Sequence, residues 1–142
     1  MSRADIVKKQ LEAISAEAEV EMAAIRAALP ALTKEELQEH LRRFVLYKFL
    51  LDQDIREDHI RKLSQLSIEK LLAISERDLN TSDLGIGCGG TSSVDNKIIL
   101  LFMALGRELE ITMDPLKTPF LKTIPLLTEE VYTLLKEAGR VI

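Results

Sequence analysis

The chain has 142 residues, 46% of them hydrophobic and 30% charged, with 6 glycines and 4 prolines; this composition excludes collagen-like, low-complexity and generally disordered proteins and fits one globular domain. The 19 lysines and arginines against 23 acidic residues give a net charge of −4, which excludes the basic surplus that nucleic-acid binding requires. Aromatic residues are only 4% of the chain, and because strands favour aromatic and β-branched residues, the balance predicts an all-α fold.

Two helices are predicted in the first part of the chain. Apolar residues recur every three or four positions over Val7–Leu29, and Pro30 ends this amphipathic helix. The Thr33-Lys-Glu-Glu36 sequence has capping-box form, and a second helix continues from it to Leu51. The connection between the helices is about three residues long, which is typical of antiparallel neighbours. Residues 1–52 are therefore predicted to form a helical hairpin packed on the rest of the chain.

The Phe44–Leu51 segment is the longest apolar-rich run of the sequence. It contains Lys48 and is far shorter than a membrane span. We expect it to lie in the core or in the hairpin, and a homodimer through the N-terminal hairpin is the alternative use of such a surface. Cys88 is the single cysteine, which excludes an intrachain disulfide and fits a reducing compartment. The start of the sequence shows no targeting pattern, so a cytoplasmic protein is predicted.

A third helix and a long loop follow. The Asp54-Ile-Arg-Glu57 sequence again has capping-box form, and the apolar positions from Ile60 to Leu66 give the next helix one apolar face. Ser67 or Ser75 is predicted to end this helix. The stretch from about residue 75 to 93 is rich in Asn, Asp, Ser, Thr and Gly, and these residues predict the longest loop of the chain.

The last third of the chain is predicted to hold two more helices. Ser92 or Ser93 can cap a helix that carries apolar residues at helical spacing and closes at Ile111. The prolines that follow allow only a short helical turn. Thr128 is predicted to open the final helix, which stops near Gly139.

Asp83-Leu84-Gly85 in the loop, and Ser92-Ser93-Val94 at the start of the next helix, resemble the acyl carrier protein family. In that family a loop ends in Asp-Leu-Gly-x-Asp-Ser-Leu, and the serine carries phosphopantetheine. The apolar helix Ile98–Ile111 looks like the family's second helix, and the Lys122–Leu135 segment looks like the entry into its last one. The resemblance covers roughly residues 54–142. It implies a carrier-like helical bundle over 53–142, to which the hairpin 1–52 is an addition.

The resemblance implies that Ser93, or second Ser92, holds the prosthetic group. Four extra residues, Gly87–Gly90, lie between the Asp-Leu-Gly element and the serines, and a strict alignment of Met103-Ala-Leu105 puts Asp95 at the serine position. Loss of attachment therefore remains open. A serine at the first helical turn can also act only as a cap, whereas a phosphodiester there would lie against free amides that favour negative charge.

The function that the resemblance implies is that of a non-catalytic carrier. The thiol of its phosphopantetheine would hold an acyl or aminoacyl group as a thioester, as in lipid or polyketide biosynthesis. Its expected partners are a phosphopantetheinyl transferase and acyl-transferring or condensing enzymes. The alternative is a carrier-like interaction or regulatory protein without a prosthetic group, which the unusual Thr91-Ser-Ser93 sequence and the added hairpin favour.

Other residues with chemical potential have simpler roles. The Gly85–Gly90 run follows no strand and ends without Gly-Lys-Ser/Thr, so a flexible turn is expected rather than a phosphate loop. Cys88 has no base at a spacing that implies proximity, which weighs against a cysteine-dependent enzyme. His40 and His59 are expected to be solvated helix residues, and with Cys88 they are too sparse for a zinc site.

Overall fold

The computed structural model describes residues 2–77 and 93–141, and all regular secondary structure within these ranges is helical, as predicted. Two 3₁₀ turns, at Leu29–Ala31 and Thr118–Phe120, connect longer helices. None of the helices described combines the length and apolar character needed to cross a membrane. The five α-helices are α1 (Arg3–Ala28), α2 (Lys34–Lys48), α3 (Ile60–Arg77), α4 (Val94–Leu109) and α5 (Ile124–Glu137).

Helices α1 and α2 pack against each other as antiparallel neighbours. Glu21, in the second half of α1, accepts a hydrogen bond from Arg43 of α2 at 2.8 Å. Val7, near the start of α1, packs in one apolar cluster with Leu50, just beyond the end of α2. Helix α2 ends at Lys48, three residues before the predicted Leu51, because Leu50 adopts the left-handed conformation with φ 59°, which does not continue a helix.

The predicted capping box of α2 is confirmed. The Thr33 hydroxyl accepts from the Glu36 N–H at 3.1 Å, and the Glu36 carboxylate accepts from the Thr33 N–H at 3.1 Å and from its hydroxyl at 2.9 Å. The hydrogen bond from the Thr33 backbone, followed by that from its hydroxyl, holds the pKa of the Glu36 carboxyl below its usual value. The ionised Glu36 carboxylate therefore stabilises the fold at pH values above the ordinary glutamate pKa. This stabilisation is lost as the pH falls through the lowered pKa of Glu36.

Replacing Thr33 with alanine should raise the pKa of Glu36 and destabilise the protein by about 1 kcal/mol near neutral pH, the usual effect of losing an N-cap hydroxyl. An NMR titration of the Glu36 side chain and urea unfolding of both proteins measure the two effects. An unchanged Glu36 pKa in T33A would contradict the role assigned to the hydroxyl.

The predicted capping box at Asp54–Glu57 is wrong, because α3 begins only at Ile60. The Glu57 carboxylate accepts instead from the N–H groups of His59 and Asp58, and the hydrogen bond from His59 holds the pKa of Glu57 below its usual value. An antiparallel β-bridge pairs His59 with Thr123. This pairing keeps the chain extended until Ile60, so tertiary contact overrides the local signal.

The predicted ends of α3 at Ser67 or Ser75 are also wrong, because the helix continues to Arg77. Ser67 is fully buried and its hydroxyl donates to the Phe49 carbonyl at 2.5 Å. A buried carbonyl beyond the last turn of α2 thereby gains a partner. Ser67 joins two helices rather than ending one.

Removing the Ser67 hydroxyl with S67A should destabilise the protein by about 1–3 kcal/mol, because the Phe49 carbonyl loses its buried partner. Ser15 is an exposed residue of α1, so S15A is the matched control and should change the free energy of unfolding by no more than about 0.5 kcal/mol. Urea unfolding of both variants measures the difference. Equal stabilities would contradict the assigned role.

The final helix begins four residues earlier than predicted, at Ile124 rather than Thr128. The Thr123 hydroxyl accepts from the Leu126 N–H at 3.3 Å and caps the helix, and Pro125 lies in the first turn, where a missing N–H costs little. Thr128 is buried and its hydroxyl donates to the Ile124 carbonyl. The predicted stop near Gly139 is confirmed by its left-handed φ of 71°.

One main hydrophobic core joins all five helices. The Phe44–Leu51 run, which suggested a homodimer surface, lies largely inside it: Phe44, Val45, Leu46, Phe49 and Leu51 are at most 4% exposed. Among the described residues, half of those buried in this core precede Asp54. The residues of the main core that are 0% exposed include Met22, Ile25, Leu41, Val45, Leu63, Leu101, Leu105, Val131 and Leu135.

Candidate functional site

Ser93 is the N-cap of α4, as one of the two sequence alternatives predicted. Its φ and ψ of −66° and 156° are extended, and its hydroxyl accepts from the Asn96 N–H at 3.1 Å. The residue is exposed. An exposed hydroxyl therefore stands at the positive end of a 16-residue helix, where backbone amides and the helix dipole favour a negatively charged group.

Two contacts tie this first turn of α4 to the start of α3. Both terminal nitrogens of the Arg61 guanidinium donate to Asp95 Oδ1, at 2.9 and 2.8 Å. The buried Ser64 hydroxyl donates to the Val94 carbonyl at 3.0 Å. Arg61 and Asp95 are largely exposed, so their ion pair contributes little to stability. The hydrogen bond from the buried Ser64 hydroxyl is therefore the contact that fixes the position of the turn.

A cavity of about 430 Å³ opens beside this turn. Asp95, two residues after the N-cap, lines it together with Ile98 and Phe102 of α4. Leu121, from the segment before α5, also lines it. Ile98, Phe102 and Leu121 are partly buried, and the volume is within the range of small-molecule sites.

The exposed part of the cavity lining carries two cations and one carboxylate. Arg61 and Lys122 line it together with Asp95 and His59, all of them exposed, and Arg61 donates to Asp95. The bridge between His59 and Thr123 sets this arrangement, since the Ile60 N–H donates to the Lys122 carbonyl at 3.0 Å. The cavity thus combines an apolar interior with an exposed rim on which the two cations, Arg61 and Lys122, outnumber the one carboxylate, Asp95.

Two arginines occupy the opposite end of α4. Arg26 of α1 donates to the Glu108 carbonyl at 3.3 Å and to its carboxylate at 2.9 Å. Arg140, after α5, donates to the Leu109 carbonyl. Both guanidinium groups lie where cations complement the negative end of the helix dipole. Carbonyl groups at the C-terminal end of α4 are therefore hydrogen-bonded to arginines of the same chain, whereas Ser93 at its N-terminal end is exposed.

Lys97 lies one turn after Ser93, and its N–H donates to the Ser93 carbonyl at 3.1 Å. Burial lowers the pKa of the Lys97 ammonium. Lys97 is thus partly buried, unlike Arg61 and Lys122, the exposed cations of the cavity rim.

The remaining predicted residues divide into two groups. Ser92, Cys88 and the Asp83-Leu84-Gly85 element lie outside the described residues. The expectation that the histidines are solvated helix residues is wrong: His40 is partly buried with Nδ1 2.7 Å from Glu21 Oε1, and His59 is exposed but precedes α3. Within residues 2–77 and 93–141, no group of three or more His, Cys, Asp or Glu side chains is placed to hold a metal ion.

The sequence did not indicate that Arg61, Lys122 and Phe102 belong to one site. Arg61 and Asp95 are 34 residues apart, and neither has a spacing motif that connects it to the other. The one local signal was the serine at a helix start. The cavity results from long-range packing, which no local pattern reports.

Comparisons with protein-family models, with curated proteins and with solved structures give no match for this chain.

Proposed function

We propose that this protein is a carrier that holds an acyl or aminoacyl group as a thioester on phosphopantetheine attached to Ser93, with Ser92 as the second candidate residue. The observation that carries the proposal is the position of the Ser93 hydroxyl. It is exposed at the amide end of α4, two residues before Asp95 on the wall of the 430 Å³ cavity.

The residues around Ser93 suit a phosphodiester. The first-turn amides of α4 favour a negative charge at this position, and Arg61 and Lys122 add cationic groups on the neighbouring rim. Arg61 already contacts Asp95 through Oδ1, so its guanidinium is held near the turn. The bound group would supply the terminal thiol that forms the thioester.

The cavity suits the rest of the arm and an apolar cargo. Ile98, Phe102 and Leu121 offer partly buried apolar surface beside the attachment point, and burying an alkyl chain there removes it from water. The protein would present and shelter the thioester, and the chemical steps would belong to its partners. These partners are a phosphopantetheinyl transferase and acyl-transferring or condensing enzymes of lipid or polyketide biosynthesis. A free thiol requires a reducing compartment, so a cytoplasmic location is part of the proposal.

The second candidate is an interaction or regulatory protein of similar shape without a prosthetic group. Two observations favour it: the Ser93 hydroxyl already acts as a helix cap, and Asp95 places a carboxylate in the same turn. A second negative charge next to a phosphodiester would be unfavourable. Arg61 offsets that repulsion in the carrier and would form a plain surface ion pair in the alternative.

Intact-mass measurement separates the two functions. The full chain is co-expressed with a phosphopantetheinyl transferase, and a gain of one phosphopantetheine is expected. A chain that remains unmodified with transferases of several specificities would refute the carrier and support the regulatory alternative.

A further inference from the structure

Helix α4 is apolar on every side in its middle. The eight residues Ile98–Leu105 are all hydrophobic. Leu101, Ala104 and Leu105 are buried in the core, whereas the opposite side of the same turns faces solvent. A helix that is hydrophobic all round is normally covered on all sides, so this outer side is expected to have an occupant.

The outer face of α4, defined here by Ile99, Leu100 and Met103, is unusually exposed. These residues are 54, 56 and 61% exposed. Leu116 and Phe120, in the segment that follows α4, are also exposed, at 81 and 71%. Exposed apolar surface of the kind formed by Ile99, Leu100 and Met103 marks an interaction site.

One row of side chains along this face is complementary to itself. Asp95, Ile99, Met103 and Arg107 follow each other at intervals of four residues and therefore form one ridge of the helix surface. The ridge has a carboxylate at its first end, two apolar residues in its middle and a guanidinium at its last end. Asp95 and Arg107 are both largely exposed, and each takes part in one ion pair within the chain, with Arg61 at 2.8 Å and with Glu108 at 3.6 Å; exposed pairs of this kind are weak and can exchange partners.

From this ridge we propose that two copies of the chain associate through the outer face of α4, antiparallel about a two-fold axis. In that arrangement Asp95 of each copy meets Arg107 of the other, and Ile99 meets Met103. When the i, i+4 ridges of two helices pack side by side, the ridges run parallel to each other, which brings both charged ends together at once. A two-fold interface requires such self-complementarity. The proposal does not depend on the modification of Ser93.

The surface differs from the one that the sequence suggested for a dimer. The Phe44–Leu51 run is largely buried in the core of its own chain, whereas the outer face of α4 remains uncovered in the described residues. The association therefore uses α4 and leaves α1 and α2 outside the interface.

Sedimentation velocity of the full chain from about 1 to about 100 μM, a range that brackets micromolar dissociation constants, tests the proposal. The wild type should sediment as a dimer at the upper concentrations. M103E should sediment as a monomer, because each copy would bring an unpaired carboxylate into the apolar middle of the interface, opposite Ile99. Val20 of α1 is 59% exposed, so V20E is the matched control and should dimerise like the wild type.

Charge reversal at two exposed residues provides a second readout, and circular dichroism of each variant checks that the fold persists when D95R removes the contact with Arg61. R107D should raise the dissociation constant of the dimer by roughly tenfold or more, because two carboxylates would then face each other. The double variant D95R/R107D should return the dissociation constant to that of the wild type. A wild type that stays monomeric over the whole range would overturn the proposal. So would a dimer unaffected by M103E. The S93A chain should dimerise like the wild type, which keeps this test separate from that of the carrier function.

Discussion

Replacing Ser93 with alanine is expected to abolish attachment of phosphopantetheine while the fold persists. The modification requires the hydroxyl oxygen, so its loss should be complete rather than partial. In the unmodified protein that oxygen accepts one hydrogen bond from the Asn96 N–H, and its removal should cost about 1 kcal/mol or less of cap energy at an exposed helix start. Intact mass after co-expression and urea unfolding of the same sample measure the two effects.

The control for this experiment is S92A, which should retain the modification. If S93A kept the added mass and S92A lost it, the attachment residue would be Ser92 and the carrier function would stand. If both variants and the wild type remained unmodified, the carrier proposal would fail. A large loss of stability in S93A would instead show that the hydroxyl has a structural role beyond the cap.

A chain that begins at Asp54 and lacks α1 and α2 is expected to lose cooperative unfolding. Half of the buried residues of the main core precede this position, and their removal would expose the facing sides of α4 and α5 to water. Arg26, which binds the carbonyl end of α4, and Arg42, which pairs with Asp58, would be lost as well. Thermal unfolding followed by circular dichroism, together with amide NMR dispersion, measures the outcome.

The single substitution F44A calibrates the effect of the truncation. Phe44 is 1% exposed, and F44A should destabilise the full chain by about 3–5 kcal/mol. The truncated chain should be affected more strongly than F44A. Cooperative unfolding of the truncated chain near the transition temperature of the full one would mean that residues 1–52 are an independent appendage.

Local patterns of the sequence correctly predicted the features that depend only on neighbouring residues. The 3.6-residue spacing of apolar residues predicted the helices, and Pro30 predicted the end of α1 because its ring cannot continue a helix. Thr33 and Ser93 were predicted as caps, since each cap is formed by atoms within three residues. Ser93 is also the part of the candidate site that sequence alone could identify.

Three predicted helix boundaries were wrong, two of them because tertiary contacts overruled the local signal. The bridge of His59 with Thr123 delays the start of α3. The Phe49 carbonyl draws the Ser67 hydroxyl into a buried hydrogen bond, so the serine does not end its helix. Thr123 caps α5 ahead of Pro125, and Thr128 lies inside that helix. In the first two cases the competing partner is remote in sequence, whereas Thr123 is a local cap that the sequence prediction missed.

By itself, the sequence determined the helical class, the cap of α2 at Thr33 and the serine at the start of α4, because all of these depend on groups within about one helical turn. Only the tertiary structure decided that Arg61 and Lys122 line a cavity together with Asp95 of the first turn of α4, that Phe44 and its neighbours are internal, and that Ile99 and Met103 face solvent. Hydrophobicity is non-directional. An apolar run therefore predicts burial without indicating which side is covered by the chain itself and which side is left for a partner.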